Sequence, residues 1–282
     1  MTTFNEWSSR AVRIEAGGLS VAAHVDGDGP VVTFIHGYPS SSLDIVPVVD
    51  RLPAVRWVTL DLPGFGASGK PEGHPHTMAA AADAVEAVWR HAGVTTTTLL
   101  AHDYGATVAQ ELLAREREVD VTGVVWMNGG VYPDLHRPTL GQQMLLDPDH
   151  GAEVAAAMNE AALGNGIQGT WGTRVPLTGD IVHEMWEALR FNGGNLQMHA
   201  MLHYIAERRR YAERWVGAME RCAAPMAFVW GDLDPVSGAH MADRIAERIP
   251  HADLRRLADV GHWPTLEAPD EVTAAAAALL AG

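Results

Sequence analysis

Short apolar runs with β character alternate with segments of helical period along the first half of the chain, which predicts a parallel sheet wrapped by helices. Val31-Val32-Thr33-Phe34-Ile35 and Trp57-Val58-Thr59-Leu60 are apolar on nearly every position, as strands buried between two layers are. Residues 12–25 read as a hairpin turning at Gly17-Gly18. An alanine-rich stretch over 78–91 has helical spacing and stops at Gly93. A strand over 95–101 follows, then a helical run through Val108, then a buried strand over 121–128. From Val131 to Glu220 the rhythm changes: helical patterns dominate at 152–163, 180–190 and 196–219, with no strand pattern between them. Strands return at 226–230 and 252–257, separated by a helix running through Ile249, and residues 274–280 close as a helix. The expected architecture is α/β: a mostly parallel central sheet flanked by helices, residues 1–130 and 221–282 forming the core. Residues 131–220 are expected to form an α-helical cap inserted after the sixth strand.

A chain of 282 residues suits one α/β domain with such an insertion. Its net charge of -15 argues against nucleic acid, which needs a basic surface, and against anionic membranes. The single cysteine, Cys222, excludes an internal disulfide framework and fits a reducing compartment. No segment has the length of a membrane span. The expectation is a cytoplasmic monomer or homodimer, without metal or cofactor, acting on a small apolar organic substrate.

Candidate chemistry concentrates at Asp103, in Leu99-Leu100-Ala101-His102-Asp103-Tyr104-Gly105-Ala106, where a predicted strand turns into a helix. Small residues flank it at Ala101, Gly105 and Ala106, the steric demand of a nucleophile elbow. Such elbows usually present serine, which suits acyl transfer. A carboxylate suits displacement at saturated carbon, giving an alkyl-enzyme ester that water then cleaves. Asp234, in Trp230-Gly231-Asp232-Leu233-Asp234-Pro235, and His262, in Val260-Gly261-His262-Trp263-Pro264, each follow a later strand. Singly, these are a loop carboxylate, a turn aspartate and a core histidine. In this order, each just past a strand, they read as nucleophile, acid and base, with His262 activating water and Asp234 orienting the imidazole. Asp232 competes for the acid role, and Asp234 is favoured because the pattern places the acid three residues after Gly231. His36-Gly37-Tyr38-Pro39 is placed to supply one oxyanion-hole donor, the Tyr38 N–H; the Tyr104 N–H would be the second. Pro39 suits a cis peptide.

His36-Gly37-Tyr38-Pro39, Asp61-Leu62-Pro63-Gly64-Phe65-Gly66, His102-Asp103-Tyr104-Gly105 and Gly261-His262 resemble the epoxide hydrolase and haloalkane dehalogenase branch of the α/β-hydrolase superfamily. The resemblance spans the whole core and implies the α/β-hydrolase fold and an aspartate nucleophile. A closer likeness is to the mesoderm-specific transcript proteins of animals. It lies in Asn128-Gly129-Gly130-Val131-Tyr132-Pro133, His136-Arg137-Pro138, Gly194-Asn195-Leu196 and the stretch from Tyr204 to Arg214-Trp215-Val216-Gly217-Ala218.

Epoxide opening creates an alkoxide that needs an acid. Tyr204 falls where the resembled hydrolases keep a lid tyrosine. They usually have two, and neither Tyr132 nor Tyr211 matches the second, which leaves His150, Trp171 and Trp186 as candidates. His36, Trp171, Trp186 and Trp263 are expected around the substrate. The resembled haloalkane dehalogenases carry tryptophan and asparagine where this chain has Tyr104 and Tyr38. Fluoroacetate-type relatives carry arginines where Tyr104 and Thr107 stand. The expected activity is therefore epoxide hydrolysis to a diol. Halide displacement by the same triad and a ligand receptor without turnover are the alternatives. His199 and His203 are spaced i,i+4 but lack a third metal ligand. His74-Pro75-His76 reads as a solvent loop, and Ser68 lacks an elbow. Glu207-Arg208-Arg209-Arg210 reads as a solvated helix face.

Overall fold

The apolar runs pair edge to edge into one sheet. A computed structural model describes residues 2–52, 54–116 and 118–281, and in it the strands are β1 (Val12–Ala16), β2 (Leu19–Asp26), β3 (Val31–Ile35), β4 (Arg56–Leu60), β5 (Thr96–His102), β6 (Asp120–Met127), β7 (Met226–Gly231) and β8 (Asp253–Leu257). Their spatial order is β1-β2-β4-β3-β5-β6-β7-β8; β2 runs antiparallel to both its neighbours and every other pairing is parallel. This is the α/β-hydrolase fold.

Successive strand residues feed opposite faces, as a period of two requires. Ile35, Leu99, Ala101, Trp126 and Phe228 join one buried cluster, while Phe34, Leu100, Val125 and Val229 join the other. Helices cover both faces. The helix Met78–Ala92 starts where the Thr77 hydroxyl accepts the Ala80 N–H at 3.2 Å and stops at Gly93, whose φ of 63° a side chain would resist.

Strand order reverses direction between β3 and β5, the crevice where open α/β sheets place their ligands. The register pairs Phe34 with Leu100 and Ile35 with Ala101, so the two strands end level. The turns that leave the two strands therefore meet above the carboxyl edge.

Between β6 and β7 the described residues form helices joined by turns and loops, with no strand. Two expected helices are broken. The 152–163 pattern divides into Gly151–Ala156 and Glu160–Gln168, because the Asn159 side chain caps the second by accepting the Ala162 N–H. The 196–219 pattern divides into Met198–Met201, Tyr204–Arg210 and Ala212–Glu220, Tyr211 leaving helical geometry between the last two. Glu111 ties this segment to the core: it accepts bonds from Arg214 and from the Trp215 indole, the latter at 2.6 Å.

Candidate active site

At the end of β5 the chain passes from strand to helix within one residue. That residue is Asp103, with φ 46° and ψ -103°, a region costly for any side chain. The helix after it, Tyr104–Leu113, approaches β3 so closely that a Cβ on Gly105 would run into the Ile35 carbonyl. The Gly105 N–H donates to the His36 carbonyl at 3.0 Å, which locks the elbow to the turn after β3. From that turn the Tyr38 N–H donates to Asp103 Oδ2 at 3.0 Å, and the Tyr38–Pro39 peptide is cis. Tyr104 is the first residue of its helix, where N–H groups have no intrahelical acceptor.

His262 lies on the loop after β8. Its Nδ1 donates to Asp234 Oδ2 at 2.8 Å, and its Nε2 lies 3.9 Å from Asp103 Oδ2. Asp234 is held by three further donors: Ser237 Oγ at 2.7 Å, Asn128 Nδ2 at 3.1 Å and the Val236 N–H at 2.8 Å. Asp232 points elsewhere, pairing with Arg256 at 3.0 Å.

The loop that carries His262 is clamped from two sides. His102 Nε2 donates to the His262 carbonyl at 2.7 Å, and the His262 N–H donates to the Thr170 carbonyl at 2.8 Å. Buried Glu267 accepts the N–H groups of Gly261, Trp263 and Gly172. Thr170 and Gly172 belong to the inserted segment, so that segment and the imidazole loop are laced together.

The charges reflect these contacts. Burial would raise Asp234, but the His262 charge and the donated bonds reverse that and hold it far below the usual carboxylate range. Burial would likewise raise Asp103; His262 and then Arg208 outweigh it, and the carboxyl stays ionised. Burial would lower His262, yet Asp234 first and Asp103 after it push the imidazole up to about 9. His102, with its ring buried, falls to about 4 and is a neutral donor at physiological pH.

The inserted segment closes over Asp103. Tyr204 Oη donates to Asp103 Oδ1 at 3.5 Å. Arg208 is 1% exposed, contrary to the solvated face expected of its charge run, whereas Arg209 and Arg210 do face solvent. Its Nε donates to Thr107 Oγ1 at 2.6 Å, its Nη2 donates to the Asp103 carbonyl at 3.1 Å, and Nη2 lies 3.6 Å from Asp103 Oδ1. A signal for this existed: Tyr204 and Arg208 are four residues apart and share a helix face.

A cavity of about 150 Å³ opens beside the Asp103–His262 pair, lined by both and by Tyr38, Trp263 and apolar residues including Leu145, Leu163, Ile167 and Met198. His36, Trp171 and Trp186 are not among its walls. The His36 ring is held in the turn after β3, accepting the Leu62 N–H at 3.0 Å. The Trp171 indole donates to the Val175 carbonyl at 2.8 Å, and Trp186 packs half-buried against the core. His150 lies on the exposed surface beside Asp147. Tyr38 lines the cavity, and its Oη, which the sequence did not mark, is buried and has no hydrogen-bond partner among the described residues. Tyr204 does not line the cavity and reaches it through Asp103. His203 is exposed, and among the described residues no group of metal-ligating side chains converges. No helix among them is long and apolar enough to cross a membrane.

An acid–histidine pair aimed at a strand-to-helix elbow, on this sheet order, defines an α/β hydrolase. A family model described as the alpha/beta hydrolase fold matches residues 30–269, and the chain belongs to that family. It is 36% identical to LipZ of Mycobacterium tuberculosis, assigned as a hydrolase, over 90% of this chain and 89% of that one. It is 32% identical to the mesoderm-specific transcript homolog protein of Homo sapiens, over 94% and 84%. Two solved structures superpose with a TM-score of 0.80. Haloalkane dehalogenase DbeA from Bradyrhizobium elkani matches at 20% identity over 96% of this chain and 97% of its own. A protein assigned as an epoxide hydrolase from Klebsiella pneumoniae matches at 18% identity over 98% of each. At those identities the two structures speak for the fold alone.

Proposed function

We propose that this hydrolase opens epoxides through a covalent ester on Asp103 and releases a diol. The observation that carries the reading is that one carboxylate, at the strained elbow and on the cavity wall, accepts the Tyr38 N–H and also lies beside the His262–Asp234 pair. Oδ2, held by the Tyr38 N–H, remains the ester carbonyl, so Oδ1 attacks the epoxide carbon. The C–O bond breaks, its electron pair goes to oxygen, and a tyrosine donates the proton. Tyr204 is the acid nearest Oδ1, and Tyr38 Oη is the second donor.

Ester formation also prepares the second step. While Asp103 is charged it helps to keep His262 protonated. Alkylation neutralises Asp103, the imidazole loses that support, and it becomes available as the base that takes a proton from water. Hydroxide attacks Asp103 Cγ and the Tyr38 N–H stabilises the oxyanion; the Cγ–Oδ1 bond then breaks, the new carboxyl gives its proton to the departing alkoxide, and the diol leaves.

Residues 131–220 act as the cap, supplying the apolar wall and Tyr204. A cavity of 150 Å³ suits a substrate of about benzene size. Halide displacement would need donors around a departing anion, and the uncommitted donor among the lining residues is the buried Tyr38 hydroxyl. A single turnover in heavy-oxygen water tests the route: the label is expected on the Asp103 carboxylate and absent from the diol, and the reverse distribution excludes the ester.

A further inference from the structure

Arg208 is buried against the nucleophile, yet the ester route as described gives it no task. A buried guanidinium stripped of its counter-charge is strongly destabilising. Among the described residues its ion-pair partner is Asp103, at 3.6 Å. That partner is consumed by the reaction, because the ester is neutral. The guanidinium carbon also lies 4.3 Å from the centroid of the Tyr204 ring, and Tyr204 Oη lies 3.5 Å from Oδ1. Arg208 therefore borders both the group that loses negative charge and the group that would gain it.

We propose that Arg208 is a positioning residue that stays paired as the reaction's negative charge moves from the Asp103 carboxylate to the Tyr204 phenolate, which commits the site to strained cyclic ethers rather than alkyl halides. This rests on the ester reading. As Oδ1 bonds to carbon, the ring oxygen takes the electron pair and then the Tyr204 proton; the phenolate left behind faces Arg208. On alkylation the His262 imidazolium sheds its proton to bulk water; it takes one from the attacking water and passes it to the Tyr204 phenolate after hydrolysis. The regenerated Asp103 charge draws one back from bulk onto the imidazole, so the cycle balances as epoxide plus water to diol. A halide, by contrast, carries its charge away and leaves the guanidinium alone.

The surroundings agree. Burial and then the Asp103 charge raise Tyr204, while Arg208 opposes them; alkylation removes the Asp103 contribution and leaves that of Arg208, so the acid strengthens as the bond forms. Tyr38 and Tyr104 also face Tyr204, and both are held protonated by burial. His136 faces Arg208; burial lowers His136 to about 4, so it is neutral and does not replace Asp103 as counter-charge. Nη1 has no hydrogen-bond partner among the described residues and lies against Gly130, where a Cβ would collide with it. A bulkier residue at 130 would displace the guanidinium.

The test uses the full chain carrying His262→Gln, in which the ester accumulates and its added mass reports the rate of the first step directly. Styrene oxide and 1-bromobutane serve as probes. Adding Arg208→Gln is expected to slow ester formation from styrene oxide about 100-fold, with Arg208→Lys restoring about a tenth or more of the lost rate. Once Tyr204→Phe is present, Arg208→Gln should cost little more, because Arg208 acts through that hydroxyl. Ester formation from bromobutane should be undetectable or fall only a few-fold. Equal slowing of both probes, or Lys no better than Gln, overturns the inference and leaves the ester reading intact. No adduct from either probe with Arg208 unaltered overturns both. If Arg208→Gln does not fold, Thr107→Val, which frees Nε, carries the same test at smaller amplitude; an unchanged epoxide rate there counts against the inference.

Discussion

Asp103 is approached from two sides built by different means. Beneath it, His262, Asp234 and the Tyr38 N–H sit on short loops that leave parallel strands, each placed by the register of the sheet. Above it, Tyr204 and Arg208 come from a seven-residue helix in the inserted segment, placed by packing against the elbow helix. Strand ends deliver groups to fixed points; a packed helix delivers a face. The lower side can therefore be shared by many chemistries, while the upper side selects among them.

The largest expected effect falls on the lower side. His262→Gln should reduce steady-state diol formation by about 10⁴-fold, since water then lacks its base. Rapid-quench mass spectrometry should show the ester filling in a burst of one equivalent. Loss of turnover without an adduct would mean that the base acts before the ester forms, and the division of labour between the two sides would fail.

Tyr204→Phe probes the upper side. Ester formation from an epoxide should slow by about 10²- to 10³-fold, as removal of a general acid does, while hydrolysis of a preformed ester changes little. Pre-steady-state kinetics separate the two steps. If both slow alike, Tyr204 is a structural support for Asp103 and Tyr38 Oη takes over the acid role.

These unequal sides were also unequally legible in the sequence. Asp103, Asp234 and His262 stood out because residue type, chain order and position just beyond a strand coincide, and sheet geometry turns such coincidence into proximity. Asp232 and Asp234 were separable on their spacing from Gly231, and the structure sends Asp232 to Arg256. Arg208 was hidden because Glu207-Arg208-Arg209-Arg210 has the composition of a surface; only the face it shares with Tyr204 marked it. Trp171 and Trp186 were misplaced for the opposite reason, since an indole can be buried almost anywhere in a helical segment. The short helices Phe4–Ser9 and Leu140–Leu145 carry capping boxes at Thr3/Glu6 and Thr139/Gln142, a local signature too brief for periodicity to register.

Glu267 joins the two sides, so its loss should blur them. Glu267→Gln keeps the shape but replaces one acceptor oxygen with a donor facing the N–H groups of Gly172, Gly261 and Trp263. Turnover should fall about tenfold and the melting temperature by several degrees, as about 1–2 kcal/mol of lost bonding implies for a domain of this size. Both half-reactions should slow, whereas His262→Gln and Tyr204→Phe each act on one. A change confined to one would show that the inserted segment does not depend on this clamp.

The smallest effect isolates the core from the chemistry altogether. Asp44 is buried beside the turn that carries Tyr38, where Ser40 Oγ donates to its carboxylate. Burial pushes it from 3.8 up to about 7, with the Ser40 bond opposing and Asp61 adding to the rise. Its folded pKa therefore exceeds its unfolded one, and the folded state binds the proton more tightly. The stability this confers is complete below 3.8 and is lost as pH climbs through 7. Asp44→Asn removes the charge that must be buried at alkaline pH. Its melting temperature should exceed that of the parent by a few degrees at about pH 8, and the advantage should vanish near pH 4. Ester formation should not change, because Asp44 supports the turn that carries Tyr38 without facing the substrate. A matching drop in the alkylation rate would show that a change behind the turn reaches Asp103, and the strand-end side would then be less rigid than its hydrogen bonds imply.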